Sequence, residues 1–225
     1  PEINFAKEIL IYFPQGKYEH TCGFLKERLR AREIQARAYL EQAERLYAQK
    51  LKFEDFKRYK LGFLNAEVES LSLSFTKADI FSFLCHRNLV PENISYREFK
   101  DGPVFRGVPQ QEKPHVRDVV RIADKDGGVC IIAHPGHMFR DSETYIKEHF
   151  DALLESFRFF KACGVRGAEI YYYGEESEGI NSSVLRAGGG EGFLFTCGSD
   201  CHGRGSASDT LELFFGDFFP ESLYQ

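Results

Sequence analysis

The sequence predicts an α/β fold in which helices cover a sheet or a barrel of parallel strands, with a separate helical segment inserted early in the chain. Two observations predict this fold. Short apolar segments alternate with helical patterns in the second half of the 225 residues, whereas residues 24–111 carry mainly helical patterns. The composition is that of a globular protein, because 43% of the residues are hydrophobic and 28% are charged.

The first half of the chain begins with extended structure and continues with helices. Residues 1–5 and 8–13 are rich in branched and aromatic side chains, and they predict β-structure that ends at a proline and a glycine. Helix formers then occupy 24–51, with apolar residues at helical spacing, and a further helix is predicted at 77–88. We therefore interpret residues 24–111 as a helical insertion.

The second half alternates helices and strands that are separated by short turns. The predicted elements, in chain order, are a helix at 115–125, a strand at 129–133, a helix at 143–163, a strand at 167–172, a helix at 175–187 and a strand at 192–197. Three consecutive glycines, 188–190, are predicted to end the preceding helix and form a break before the last strand. Residues 1–23 and 112–225 would then form one domain around the insertion.

Charge and hydropathy restrict the expected partners. The formal net charge of −5 gives no overall positive field, so we expect neither long nucleic acid nor a membrane surface as a partner. No segment reaches the roughly 18 apolar residues of a membrane span, and the first residues lack the pattern of a signal peptide, which favours a cytoplasmic protein. We interpret four arginines of the insertion as a solvated face, with a neighbouring cleft as the alternative: Arg28, Arg30, Arg32 and Arg37.

Side chains suited to chemistry lie where the three predicted strands of the second half end. His134 directly follows the apolar residues of the first, Glu169 interrupts the second, and Asp200 and His202 follow the third. In parallel α/β folds these strand ends meet on one face. Asp200 and His202 are two residues apart, so in extended backbone their side chains point to the same side. A carboxylate together with an imidazole suits zinc, manganese or iron.

Structural roles remain open for the same residues. A histidine at position 134 is also compatible with a hydrogen-bonded structural role, and Asp200 with the cap of a turn that exposes His202. Glu169 has three candidate roles: a metal ligand, a residue that orients a histidine ligand, and a half-exposed residue at a strand edge. We favour the second of these for Glu169.

Three segments of the chain, in order and in spacing, resemble motifs of the PHP superfamily, the polymerase and histidinol phosphatase proteins. They are 128–136 with Ala-His-Pro, 167–172 with Glu169, and 198–203 with Ser-Asp-x-His. The resemblance extends over about 1–215 and is closest to the stand-alone metal-dependent phosphoesterases of nucleoside phosphates or short oligonucleotides. It implies a distorted (β/α)7 barrel, a TIM-like fold, that holds two or three divalent ions of manganese, zinc or iron.

The resemblance implies a role for individual residues. His134, Asp200 and His202 match metal ligands of the family, and Glu2 matches a glutamate that bridges two metal ions. His137 stands where relatives often carry an arginine that contacts the substrate phosphate, so it becomes the candidate catalytic residue, with a histidine of a surface loop as the alternative. Glu169 would support these ligands or contact the substrate.

The beginning of the chain departs from the family pattern. The family's His-x-His motif does not occur in the 225 residues, and Glu8 falls near the position of a further histidine ligand. Because the sequence begins at Pro1 and not at a methionine, we expect an additional N-terminal segment of the same protein that carries this motif. The alternative is a degenerate member whose metal site does not fill.

The resemblance therefore implies a metal-dependent phosphoric ester hydrolase. Hydroxide held by the metal ions would attack a phosphoester of a nucleotide or another small phosphorylated metabolite. His137 would contact the phosphate or protonate the leaving oxygen, and the helical insertion would act as a lid. Two alternatives stay open, namely a non-catalytic PHP module of a larger protein and an amidohydrolase-like metal-dependent enzyme.

Overall fold

The computed structural model describes residues 8–62 and 73–198, so the predicted ligands Glu2, Asp200 and His202 lie outside the described residues. The chain forms two compact units. We call Pro1–His20 with Pro114–Gln225 the sheet unit and Thr21–Lys113 the helical unit. The lid role of residues 24–111 stays a prediction.

The described part of the helical unit contains α1 (Glu19–Tyr47), α2 (Phe53–Leu61), α3 (Lys77–His86) and α4 (Tyr96–Phe99). Helix α3 begins with a capping box, in which the side chain of Thr76 accepts the Asp79 N–H and the Asp79 carboxylate accepts the Thr76 N–H. Aromatic side chains dominate the buried core of this unit: Tyr39, Phe53, Phe56, Phe75, Phe83, Phe99 and Phe105.

The described strands of the sheet unit form one mixed sheet in the order β1 (Ile9–Tyr12), β2 (Val129–Ile132), β3 (Gly167–Tyr171) and β4 (Leu194–Gly198). Strands β2, β3 and β4 are parallel, whereas β1 is antiparallel to β2. The parallel arrangement predicted from the second half of the chain is therefore confirmed for β2, β3 and β4, and the direction of β1 is a finding of the structure. The whole helical unit separates β1 from β2, so no short helical crossover constrains the direction in which the chain returns.

The helices of the sheet unit are α5 (Val116–Lys125), α6 (Glu143–Glu148), α7 (Phe150–Ala162) and α8 (Ser177–Gly190). The single helix predicted at 143–163 is wrong, because the backbone leaves helical geometry at His149. The predicted glycine break is also wrong, because the three glycines are the last turn of α8. A Cβ at Gly188 would lie 2.9 Å from the ring of Phe195 and 3.0 Å from that of Phe157, so glycine permits close packing there.

One face of the sheet packs on these helices, and the other carries the candidate chemistry. Ala168 and Ile170 are buried in the helix-facing core, and the alternation of side chains along β3 places Glu169 and Tyr171 on the opposite face. Within residues 8–62 and 73–198, every helix is too short or too polar to cross a lipid bilayer.

Candidate active site at the ends of strands β2 and β3

His134 lies just beyond the C-terminal end of β2 in an unusual backbone conformation. Its φ is +26°, and Arg140 and Asp141 also have positive φ values. Such conformations cost about 1 to 3 kcal/mol for a residue other than glycine, and they are frequent at functional sites. The 3-10 helix Pro135–Phe139 follows directly and packs against α8 and β3. Packing therefore fixes the turn that carries His134.

Glu169 fixes the backbone of His134. Its Oε2 accepts the backbone N–H of His134 at 2.9 Å, and Glu169 is only 6% exposed. The two residues meet because β2 and β3 are adjacent parallel strands whose register pairs Ile132 with Ala168, which brings the residues after β2 beside Glu169. This hydrogen bond goes to the backbone amide of His134, and through it Glu169 sets the position of this residue.

Glu8 contacts the ring of His134. Its Oε2 lies 3.0 Å from Nε2 of His134, and the backbone carbonyl of Glu8 accepts the N–H of Ala133 at 3.3 Å. The antiparallel direction of β1 causes this meeting, because it brings the start of β1 to the end of β2. The side chain of His134 is only 12% exposed. One imidazole nitrogen and one carboxylate oxygen therefore meet at the end of β2.

His137 lies beside His134 and is held by a carboxylate. The Asp141 carboxylate is hydrogen-bonded to Nδ1 of His137, and the ring centroids of His137 and His134 are 4.3 Å apart. Because a carboxylate only accepts hydrogen bonds, this contact places the proton on Nδ1 and directs Nε2 away from Asp141. The ring of Tyr171 packs against both histidines, with centroid distances of 5.4 Å and 5.2 Å.

Tyr173 supports the same turn from below. Its hydroxyl accepts the backbone N–H of Gly136 at 2.7 Å, and burial raises the pKa of Tyr173 well above its usual value, so the phenol stays neutral. A Cβ at Gly136 would lie 2.5 Å from the ring of Tyr173. Only glycine therefore fits at this point of the turn.

Replacement of Tyr173 by Phe is expected to lower the free energy of unfolding by about 1 to 2 kcal/mol, because the buried N–H of Gly136 loses its acceptor. Urea unfolding of this variant measures the loss. The matched control is Tyr12→Phe, since Tyr12 is 43% exposed, and it should unfold like the unmodified protein. Equal stability of all three proteins would contradict the assigned role of the Tyr173 hydroxyl.

Of the candidate site residues from the sequence, His134, His137 and Glu169 lie in one cluster together with Glu8, whereas Glu2, Asp200 and His202 are outside the described residues. Within the described ranges, no group of three or more histidine, cysteine or carboxylate side chains is arranged to hold a metal ion. Two candidate metal ligands that meet within the described ranges are Glu8 and His134. Gly198, the last residue of β4, lies against the Glu169 carboxylate, and Asp200 follows two residues later in the chain.

Asp141 and Tyr171 were missed at the level of sequence. The only sequence signal for Asp141 is its spacing of four residues from His137, and that for Tyr171 is its place two residues after Glu169 on the same strand face. Such spacings are common, and the contacts depend on the positive φ values of the turn.

Comparison with known proteins identifies the fold. No model of a protein family matches the chain, and no curated protein matches it. A proposed metal-dependent phosphoesterase from Bifidobacterium adolescentis is similar in structure, with a TM-score of 0.54 and 18% identity over 88% of this chain and 64% of that one. An amidohydrolase from Chromobacterium violaceum, solved with sulfate and without metal, is also similar in structure. Its TM-score is 0.53 and its sequence identity is 18%, and the match covers 83% of this chain and 59% of that one. This chain therefore spans less than two thirds of either protein, and what it shares with them is the fold.

Proposed function

We propose that this protein is a metal-dependent hydrolase of PHP type that cleaves a phosphoester of a small, nucleotide-like substrate. The observation that carries the proposal is the meeting of Glu8, His134 and Glu169 at one end of the sheet. The structural likeness to a proposed phosphoesterase supports it. We further propose that the sheet belongs to a distorted (β/α)7 barrel.

The chemistry of the donors fits a divalent cation. One imidazole nitrogen and one carboxylate oxygen, 3.0 Å apart, are ligands that zinc, manganese and iron accept. In this proposal Glu8 and His134 would hold the metal, and Glu2, Asp200 and His202 would complete the set for two or three ions. When bound, such ions lower the pKa of coordinated water and neutralise charge on phosphate oxygens.

The side chains around these donors would position the reacting groups. Glu169 holds the backbone of His134, which fixes the direction of its ring. Asp141 keeps a proton on Nδ1 of His137, so Nε2 would meet the phosphate or the leaving oxygen. Tyr171 packs on both rings and limits their motion.

The proposal is tested with the full-length protein, including any residues that precede Pro1. The protein is treated with a chelator, reloaded separately with manganese, zinc or iron, and assayed on a nucleoside monophosphate, a dinucleotide and a cyclic amide. We expect hydrolysis of a phosphoester that disappears with chelation and returns with metal. Turnover of the cyclic amide alone would favour the amidohydrolase alternative, to which the similarity with the Chromobacterium violaceum protein points. No turnover by protein that has bound metal would favour a non-catalytic module.

A further inference from the structure

The helical unit contains a cavity of about 270 Å³ with a positively charged lining. Four cationic side chains contribute to it, from α1, the start of α3 and the segment after α4: Arg28, Arg32, Lys77 and Lys113. The lining residues include no carboxylate side chain. Arg28 and Arg32 therefore line a cleft, which was the alternative to a solvated face for the arginines of the insertion.

These four cations are not matched by carboxylates within the described residues. Arg37, on the same helix, pairs with Glu33, whereas Arg28 donates to the backbone carbonyl of Glu112 and Arg32 to the hydroxyl of Ser74. Nζ of Lys77 lies 5.1 Å from the ring centroid of Phe105. Neutral partners therefore orient Arg28, Arg32 and Lys77, and no described carboxylate balances their charge. In a chain with a net charge of −5, such a concentration of cations favours an anionic ligand.

The start of α3 adds to the positive potential. Lys77 is the first residue of this ten-residue helix, whose first-turn N–H groups and dipole favour anions. The first turn of α3 also carries the Asp79 carboxylate, which caps the helix through Thr76 and pairs with Lys60 at 2.6 Å. The charge of Asp79 is therefore balanced by Lys60, which does not line the cavity, and not by the four cationic residues that do.

We propose that this cavity binds a ligand that carries two phosphate groups. A phosphate ester carries about −1.5 to −2 charges at neutral pH, so two such groups balance four cations. Two arginines supply paired N–H donors that match phosphate oxygens. The cavity is smaller than a typical drug-sized site of about 300 to 1,000 Å³, which limits the buried part to pyrophosphate or the diphosphate end of a nucleotide. This site lies in the helical unit and is additional to the proposed metal centre.

The test is calorimetric titration of the full-length, chelator-treated protein with pyrophosphate, inorganic phosphate and ADP. We expect pyrophosphate to bind more tightly than phosphate, with an affinity that falls as salt concentration rises. Arg32→Ala and Lys77→Gln should each weaken binding by about tenfold or more, because each removes a charge-assisted hydrogen bond. The matched control is Arg30→Ala, an exposed residue of the same helix that does not line the cavity, and it should change the affinity less than about twofold.

A His134→Ala variant separates this site from the metal centre. Pyrophosphate binding should persist in it, even if the proposed phosphoesterase activity is absent. Tighter binding of ADP than of pyrophosphate would identify a nucleotide as the ligand, and equal binding would identify recognition of the diphosphate alone. Three outcomes would overturn the proposal: phosphate binding as tightly as pyrophosphate, equal losses in Arg30→Ala and Arg32→Ala, or loss of binding in His134→Ala.

Discussion

Replacement of His134 by alanine is expected to lower the phosphoesterase activity of the metal-loaded protein by more than about 100-fold. Groups that only orient a metal ligand typically contribute about 10- to 100-fold to affinity or activity, and His134 is proposed to be a ligand itself. Its ring also meets Glu8 at 3.0 Å, so the substitution removes one of the two described donors. Initial rates and elemental analysis of bound metal measure both consequences.

The variant should remain folded, because the His134 ring lies at the end of β2 and is absent from the apolar core of the sheet unit. Circular dichroism and thermal unfolding check this point. The matched control is His20→Ala, an exposed histidine at the start of α1, which should keep both activity and metal content. Unchanged rates and unchanged metal content in His134→Ala would end the proposal of a metal centre at this strand end.

Replacement of Gly198 by alanine is expected to reduce activity by about 10- to 100-fold without altering any donor side chain. A Cβ at this position would lie 2.0 Å from Oε1 of Glu169, so the buried carboxylate must move. That movement weakens its hydrogen bond to the backbone N–H of His134 and misplaces the ring. Overpacking of this kind should also lower the free energy of unfolding by about 1 to 3 kcal/mol.

Gly189→Ala is the matched control for this glycine substitution. A Cβ at Gly189 meets no atom within 4 Å, and the residue lies in the last turn of α8. Alanine is the better helix former, so this variant should be as active as the unmodified protein and up to about 1 kcal/mol more stable. Steady-state rates, metal affinity and urea unfolding of both variants decide the comparison. Equal behaviour of the two would show that the end of β4 does not position Glu169.

The local elements follow from the sequence because their causes are local. The apolar residues at 129–133 and the helical spacing at 115–125 predict β2 and α5 to within one residue, since strand and helix periodicities need no knowledge of distant contacts. That His134 follows β2 and that Glu169 lies within β3 can be predicted in the same way, and the parallel register of the two strands then brings these residues side by side.

Contacts between distant parts of the chain could not be predicted from local pattern. The triple glycine belongs to α8, and Gly188 packs there against Phe157 and Phe195, two residues that lie outside this helix. Arg28, Arg30 and Arg32 are residues of the same type with similar neighbours in the sequence. The four-residue spacing puts Arg28 and Arg32 on one face of α1 and Arg30 on another, but only the return of the chain at Lys77 and Lys113 makes that face the lining of a cavity.

The sequence by itself determined that strands ending in His134 and near Glu169 alternate with helices, and it indicated a metal-dependent chemistry by resemblance. The tertiary structure alone decided that β1 is antiparallel, and hence that Glu8 meets His134. Through the positive φ values of the turn after β2, it also decided that Asp141 holds His137. The physical reason is that strand direction and side-chain convergence depend on where a long intervening segment returns the chain, which no residue pattern within one strand encodes.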